Sequence, residues 1–165
     1  MPDTCGGRNS NIQANERLAI YLNDHLAGSV IALEMLDDLA DDPTLAELRQ
    51  EILADREVLE RLMASTGAEI SQPRQAAAWL TEKLGDVKLY LDDPDQGALR
   101  RLEMLETITM GIFGKESLWA GLQHAAPVNP LLQGEDFTAL RRRAQQQRER
   151  IEPLRLAAAK AAFSK

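Results

Sequence analysis

Apolar residues recur at helical spacing along four long segments of the chain. Within a segment they lie three, four or seven positions apart, which places them on one face of an α-helix. No stretch keeps the strict alternation of a half-buried strand, and no Asn-Gly or Asp-Gly pair indicates a hairpin turn. The pattern therefore predicts an all-α protein with four amphipathic helices, at residues 11–40, 44–66, 94–125 and 136–163.

The ends of these segments carry residues that start and stop helices. Asp42 can cap the second helix because its carboxylate accepts a hydrogen bond from a free backbone N–H, and Pro43 suits the first helical position. Gly67 can end that helix, since glycine adopts the left-handed conformation without strain. Pro153 lies inside the fourth helix, where it removes a backbone hydrogen bond and is expected to produce a kink.

The connection between the second and third helices is far longer than the loops that join neighbouring helices of a bundle. Its middle, residues 73–84, has the pattern of a short additional helix. A connection of this length can run back along the bundle and start the third helix at the opposite end. The sequence thus predicts a flexible tail at residues 1–10, followed by one four-helix bundle domain at residues 11–165 with a long crossover between helices two and three.

Two antiparallel helices, a long crossover with a short helix, and two further antiparallel helices resemble the ferritin and rubrerythrin superfamily. The resemblance covers residues 11–163 and concerns topology and helix length. It implies a di-iron centre held by one Glu from each of two helices and a Glu-x-x-His motif from each of the other two. Neither His25 nor His124 has a Glu three residues before it. The chain is therefore interpreted as a degenerate, ferritin-like member without those ligands, and no catalytic residue is assigned.

One polar layer is predicted near the middle of the bundle. A rotation of ~100° and a rise of ~1.5 Å per residue place five inward-facing polar residues at similar height if the crossover is present. These residues are His25, Asp55, Glu106, Thr109 and Gln147. The favoured interpretation is a hydrogen-bonded network that satisfies buried polar groups. The alternative is a site for a divalent transition metal held by His25, Asp55 and Glu106.

Composition restricts the classes of function. The formal net charge of −7 argues against nucleic acid as the main partner, because phosphate contacts need an excess of Lys and Arg. No apolar run approaches the ~20 residues of a membrane span, and no signal-peptide core follows the N-terminus. A soluble, cytoplasmic protein is expected.

Cys5, the single cysteine, allows no internal disulfide and is expected to be a thiol without function in the tail.

The stretch GIFGKES resembles a shortened phosphate-binding loop only in its letters, because no strand precedes it. Gly111, Gly114 and Gly121 are instead expected to let the third helix pack closely on a neighbour. Trp79 and Trp119 are expected to anchor the crossover on the bundle.

Charge is segregated along the chain. EMLDDLADD makes one end of the bundle acidic, and RRRAQQQRER makes the first half of the fourth helix basic. Two interpretations stay open: solvated faces neutralised by their neighbours, or surfaces that dock subunits or a charged partner protein.

The expected function is a non-catalytic helical bundle without a cofactor, acting as a structural or protein-interaction module, as a homodimer or with a protein partner. The alternative is a metal-binding protein or metal-dependent oxidoreductase.

Overall fold

The computed structural model describes residues 5–39, 42–68 and 97–164, with side chains from residue 12 onward. Within these ranges the chain forms four α-helices, one short 3-10 helix and no strand. The α-helices are α1 (Cys5–Asp38), α2 (Pro43–Thr66), α3 (Ala98–Ala125) and α4 (Phe137–Ala162), and the 3-10 helix is Pro130–Leu132. The predicted all-α fold with four long helices is confirmed.

The predicted helix boundaries are close to those observed, except at the N-terminus. α1 begins at Cys5, so the helix starts six residues earlier than the predicted start at residue 11. The short helix predicted at residues 73–84 lies outside the described residues, as does Trp79. The sequence placed the start of α1 too late because residues 6–10 are rich in glycine and polar residues that carry no apolar repeat.

The predicted capping residues occupy the ends of α2. Oδ1 of Asp42 accepts a hydrogen bond from the backbone N–H of Thr44 at 2.8 Å, and Pro43 follows at the first helical position. At the other end Gly67 has a φ of 75°, in the left-handed region that favours glycine. Asp136 caps α4, where its Oδ1 accepts a hydrogen bond from the backbone N–H of Ala139 at 3.0 Å. These local signals therefore fix where α2 and α4 begin.

Ion pairs between helices establish the direction of α3. Arg100, in the first turn of α3, donates to Asp38 at the end of α1 over 3.1 Å. Arg101 lies 4.0 Å from Asp42, which precedes α2. α3 therefore begins at the end of the bundle where α1 ends and α2 begins, so it runs antiparallel to α1 and parallel to α2. The predicted crossover connectivity is confirmed.

The four helices form two hairpins, α1–α2 and α3–α4. The two helices of a hairpin approach closely along their length, whereas α1 meets α3 and α2 meets α4 at fewer points. In the described ranges no backbone contact joins the diagonal pairs α1/α4 and α2/α3. The centre of the bundle is consequently spanned by side chains alone.

One continuous apolar core joins both hairpins. Each fully buried Leu or Ile contributes roughly 1.5–3 kcal/mol. The large apolar side chains that are almost completely buried are Leu22, Leu36, Leu45, Met63, Leu105, Ile108, Ile112, Leu118, Trp119, Leu132 and Ile151. The Trp119 ring stacks on that of Phe137 in α4 with centroids 6.2 Å apart, so this contact anchors α3 to α4 within one hairpin.

The glycines of α3 do not mediate close packing within the described part of the chain. A Cβ atom added to Gly111, Gly114 or Gly121 meets no heavy atom there within 4 Å. The expected close approach of another helix at these positions is not observed among the described residues. The physical reason is that the stripe of α3 that meets its neighbours consists of larger apolar residues.

A buried ion-pair network as the candidate functional site

Asp55 is the centre of a polar network inside the bundle. It lies on the inner face of α2 and is only 2% exposed. Three side chains of the second hairpin donate to its carboxylate. Lys115 Nζ lies 2.5 Å from Oδ2, Gln147 Nε2 lies 3.3 Å from the same oxygen, and Arg143 Nε lies 3.0 Å from Oδ1, to which Arg143 Nη2 also donates. Both carboxylate oxygens are therefore satisfied, as a buried carboxylate requires.

Lys115 connects the helices that have no backbone contact. Its side chain is 12% exposed and reaches from α3 across the bundle to α2. The same ammonium group donates to Oε1 of Gln147, a fully buried residue of α4, over 2.6 Å. Burial lowers the pKa of Lys115, while the charge of Asp55 and the hydrogen bond to it oppose that shift. One ammonium group thus binds a carboxylate and an amide oxygen from two different helices.

A second group of charges continues the network along α2. Glu51, one turn before Asp55, accepts a hydrogen bond from Arg150 over 2.5 Å, and Arg150 also lies 3.7 Å from Glu47. Burial raises the pKa of Glu51, but hydrogen bonds from Arg150 and Gln147 and nearby positive charge outweigh it, so the pKa lies below its ordinary value. We name this contact the α2–α4 seam, formed by Glu47, Glu51 and Asp55 of α2 with Arg143, Gln147 and Arg150 of α4.

Two of the five residues predicted for the polar layer meet in the structure. Asp55 and Gln147 are hydrogen-bonded, whereas Glu106 and Thr109 are not part of the network. The Glu106 side chain is 48% exposed and binds Arg155 over 3.3 Å. Glu106 lies at the edge of the apolar stripe of α3, so a small helix rotation is sufficient to expose it. The Thr109 hydroxyl donates to a backbone carbonyl of its own helix over 2.7 Å.

His25 is half-buried on α1 and is not among the described hydrogen-bond partners of Asp55. Its ring meets that of Tyr21 edge-on, with centroids 4.9 Å apart. Burial lowers the pKa of His25, and the negative charge of Asp24 opposes the shift. No residue of the described ranges forms a hydrogen bond with the imidazole, so the predicted contact between His25 and the polar layer is not observed.

The donor set does not fit the metal ion that the alternative interpretation required. Among the described residues, no three His, Cys, Asp or Glu side chains lie close enough together to hold a metal ion. His25, Asp55 and Glu106 are therefore not brought into one site. Asp55 is neutralised by Lys115 and Arg143, so its carboxylate is engaged by cations of the protein itself.

The two cations of the network, Lys115 and Arg143, are not among the residues that the sequence predicts for the polar layer. Lys115 lies in the stretch GIFGKES, which resembles a phosphate-binding loop only in its letters. Arg143 lies in the basic stretch RRRAQQQRER. A signal for Arg143 was present, because it lies one helical turn before the inward-facing Gln147. Lys115 adjoins Glu116, and a long side chain can reach the centre of a bundle from a flanking position.

Comparison of the chain with known protein families, with curated proteins and with solved structures finds no match. None of the helices in the described ranges is long and apolar enough to cross a membrane. Chemically, the Asp55 network joins the two hairpins through ion pairs and hydrogen bonds.

Proposed function

We propose that this chain is a non-catalytic helical bundle of the ferritin-like type that its topology resembles, acting as a structural or protein-interaction module. The observation that carries the proposal is the state of Asp55, whose carboxylate binds both Lys115 and Arg143. A metal ligand or a general base needs a free lone pair. At Asp55 those lone pairs receive hydrogen bonds from the protein, which supports a structural role.

The network also suits a structural module, because it favours one arrangement of the helices over others. A buried ion pair adds little net stability, since the loss of hydration offsets most of the attraction. It does penalise any arrangement in which a charge loses its partner. Asp55, Lys115 and Gln147 lie on three different helices, so their contact selects one register of α2, α3 and α4.

Exposed apolar side chains support the protein-interaction role. Met110 and Phe113 lie one turn apart on α3 and are 66% and 57% exposed. Ile20 and Tyr21 are exposed on α1. Large apolar side chains in contact with water favour association with another surface. The cytoplasmic location expected from the sequence stays a prediction.

Elemental analysis tests the proposal against the metal-dependent alternative. The protein is purified from cells supplied with iron, manganese and zinc, and its melting temperature is measured before and after treatment with EDTA. We expect no stoichiometric metal and an unchanged melting temperature. A stoichiometric metal that is absent from both Asp55→Asn and His25→Ala variants, and whose removal lowers the melting temperature, would overturn the proposal.

A further inference from the structure

An exposed stripe runs along α3 beside α4. It follows helical spacing through Met110, Phe113, Ser117 and Gly121, all of which are exposed. The guanidinium of Arg148 in α4 lies 5.4 Å from the centroid of the Phe113 ring, so the stripe borders α4. Met110 and Phe113 remain more than half exposed in spite of this contact. Large apolar side chains in contact with water favour association with another surface.

The neighbouring face of α4 carries two charges without ion-pair partners. Arg142 and Glu149 are exposed and lie seven residues apart, which places them on the same side of α4 and about 10.5 Å apart along its axis. Within the described residues neither of them forms an ion pair, whereas Arg141 and Arg148 both lie near Glu116. We name this surface the outer α3–α4 face, formed by Met110, Phe113, Ser117 and Gly121 of α3 with Arg142, Gln145 and Glu149 of α4.

The α3 stripe has large side chains before residue 115 and small ones after it. Met110 and Phe113 form the first part, and Ser117 and Gly121 form the second. A Cβ atom added to Gly121 meets no heavy atom of the described chain within 4 Å, so the space above it is open. If two copies of the stripe meet antiparallel about this point, Met110 faces Gly121 of the second copy and Phe113 faces its Ser117. Large side chains then meet small ones on both sides of the centre, which permits a close helix approach.

The two charges of α4 are arranged about the same centre. Gln145 of α4 donates to Glu116 of α3 over 2.8 Å, so these two residues lie at one height in the hairpin. Gln145 is also close to the midpoint between Arg142 and Glu149. A two-fold axis at this height therefore brings Arg142 of each copy opposite Glu149 of the other. A two-fold interface requires this kind of self-complementarity, in which one residue meets a second and the second meets the first.

We propose that a second copy of this chain docks antiparallel on the outer α3–α4 face, about a two-fold axis at the height of Gln145. The second copy is favoured over an unrelated protein because the face complements itself in size on α3 and in charge on α4, about one centre. The overlap measures about 30 Å along the helices and about 20 Å across two of them. This gives roughly 600 Å² per copy, at the lower end of specific interfaces, so the dimer should dissociate on dilution. The inference rests on the proposed interaction role and specifies its partner.

Charge reversal on α4 tests the two-fold pairing. Arg142→Glu brings like charges together at two places in the dimer, and Glu149→Arg does the same. Sedimentation equilibrium of each variant should give a dissociation constant about tenfold or more above that of the wild type. An equimolar mixture of the two variants should recover the wild-type constant as a heterodimer, because every pair across the axis again joins opposite charges. A chain that carries both substitutions should recover it as a homodimer, and circular dichroism of dilute protein checks that each variant keeps its helices.

Matched controls separate this face from the rest of the surface. Met110→Gln should weaken the dimer, whereas Ile20→Gln on α1 should not, although the two side chains are 66% and 65% exposed. Glu57→Arg reverses an exposed charge on α2 and should have no effect. A monomeric wild type, or a dimer that neither Arg142→Glu nor Glu149→Arg weakens, would overturn the pairing and leave the face to a different protein. Neither result would affect the proposed non-catalytic role, which the elemental analysis tests separately.

Discussion

The ammonium group of Lys115 lies 2.5 Å from Oδ2 of Asp55, although the helices that carry these residues have no backbone contact. The pair crosses the bundle on its diagonal. Gln147 and Arg143 complete the coordination of the carboxylate from α4. The centre of this bundle is therefore organised by an internal cation, and the stability of the fold should depend on that cation.

Lys115→Met should lower the free energy of unfolding by about 3 kcal/mol, because Asp55 then keeps only part of its compensation in a buried position. Methionine retains most of the length and volume of the lysine side chain. Lys160→Met, at an exposed position in the last turn of α4, is the matched control and should leave the urea midpoint unchanged. An equal effect of the two substitutions would contradict the structural importance of the Lys115 ammonium.

Lys115→Met and Asp55→Leu should be strongly non-additive. Each single substitution leaves a buried charge without its main partner, whereas the double variant removes both charges. We expect the double variant to be more stable than the sum of the single effects predicts, by about 0.5–3 kcal/mol. The comparison cycle pairs Lys115→Met with Glu106→Leu, since Glu106 lies outside the network, and should give a coupling near zero. Urea unfolding of all variants measures both cycles.

Much of the fold could be predicted from local signals. Asp42 followed by Pro43, and Gly67 at the far end, define α2 through backbone hydrogen bonding and conformational freedom, which act within a few residues. The crossover followed from the length of the connection alone. The start of α1 was missed because it has no comparable signal.

The candidate site was predictable only in part. Asp55 and Gln147 lie at the centre of their helical stripes, so periodicity was sufficient to place them inside. Glu106 lies at the edge of the apolar stripe of α3. The rotation of the helix about its axis decides whether a side chain at that edge faces the core or the solvent, and the spacing of apolar residues does not determine this rotation. Lys115 and Arg143 reach the network by long side chains, and their contacts depend on how helices from different parts of the chain pack.

Gly67→Ala should destabilise the protein by about 1 kcal/mol, because the φ of 75° at the end of α2 is costly for a residue with a Cβ atom. Gly121→Ala should have the opposite sign and stabilise by about 0.5–1 kcal/mol. Gly121 is exposed inside α3, and an added Cβ meets no described atom within 4 Å. Thermal unfolding of the two variants beside the wild type measures both effects. Destabilisation by Gly121→Ala would show that α3 is approached closely there.

His25 should make the stability of the protein fall on mild acidification. Burial lowers the pKa of its imidazole below the ordinary value of 6.5, so the folded state keeps the ring neutral where the unfolded state already binds a proton. The stabilising contribution is complete above pH 6.5 and decreases as the pH falls from there towards the lowered pKa. Glu51 does not contribute in this range, because its pKa lies below the ordinary value for a carboxylate and it titrates at lower pH.

Urea unfolding between about pH 7.5 and 5.5 measures this dependence, which should be weaker in His25→Asn than in the wild type. His124→Asn is the matched control, because His124 is the other histidine of the sequence and is exposed in the last turn of α3. A profile that His25→Asn does not alter would show that the imidazole is as accessible to protons in the folded state as in the unfolded state. The contact with Tyr21 would then shield the ring too little to disfavour its charge.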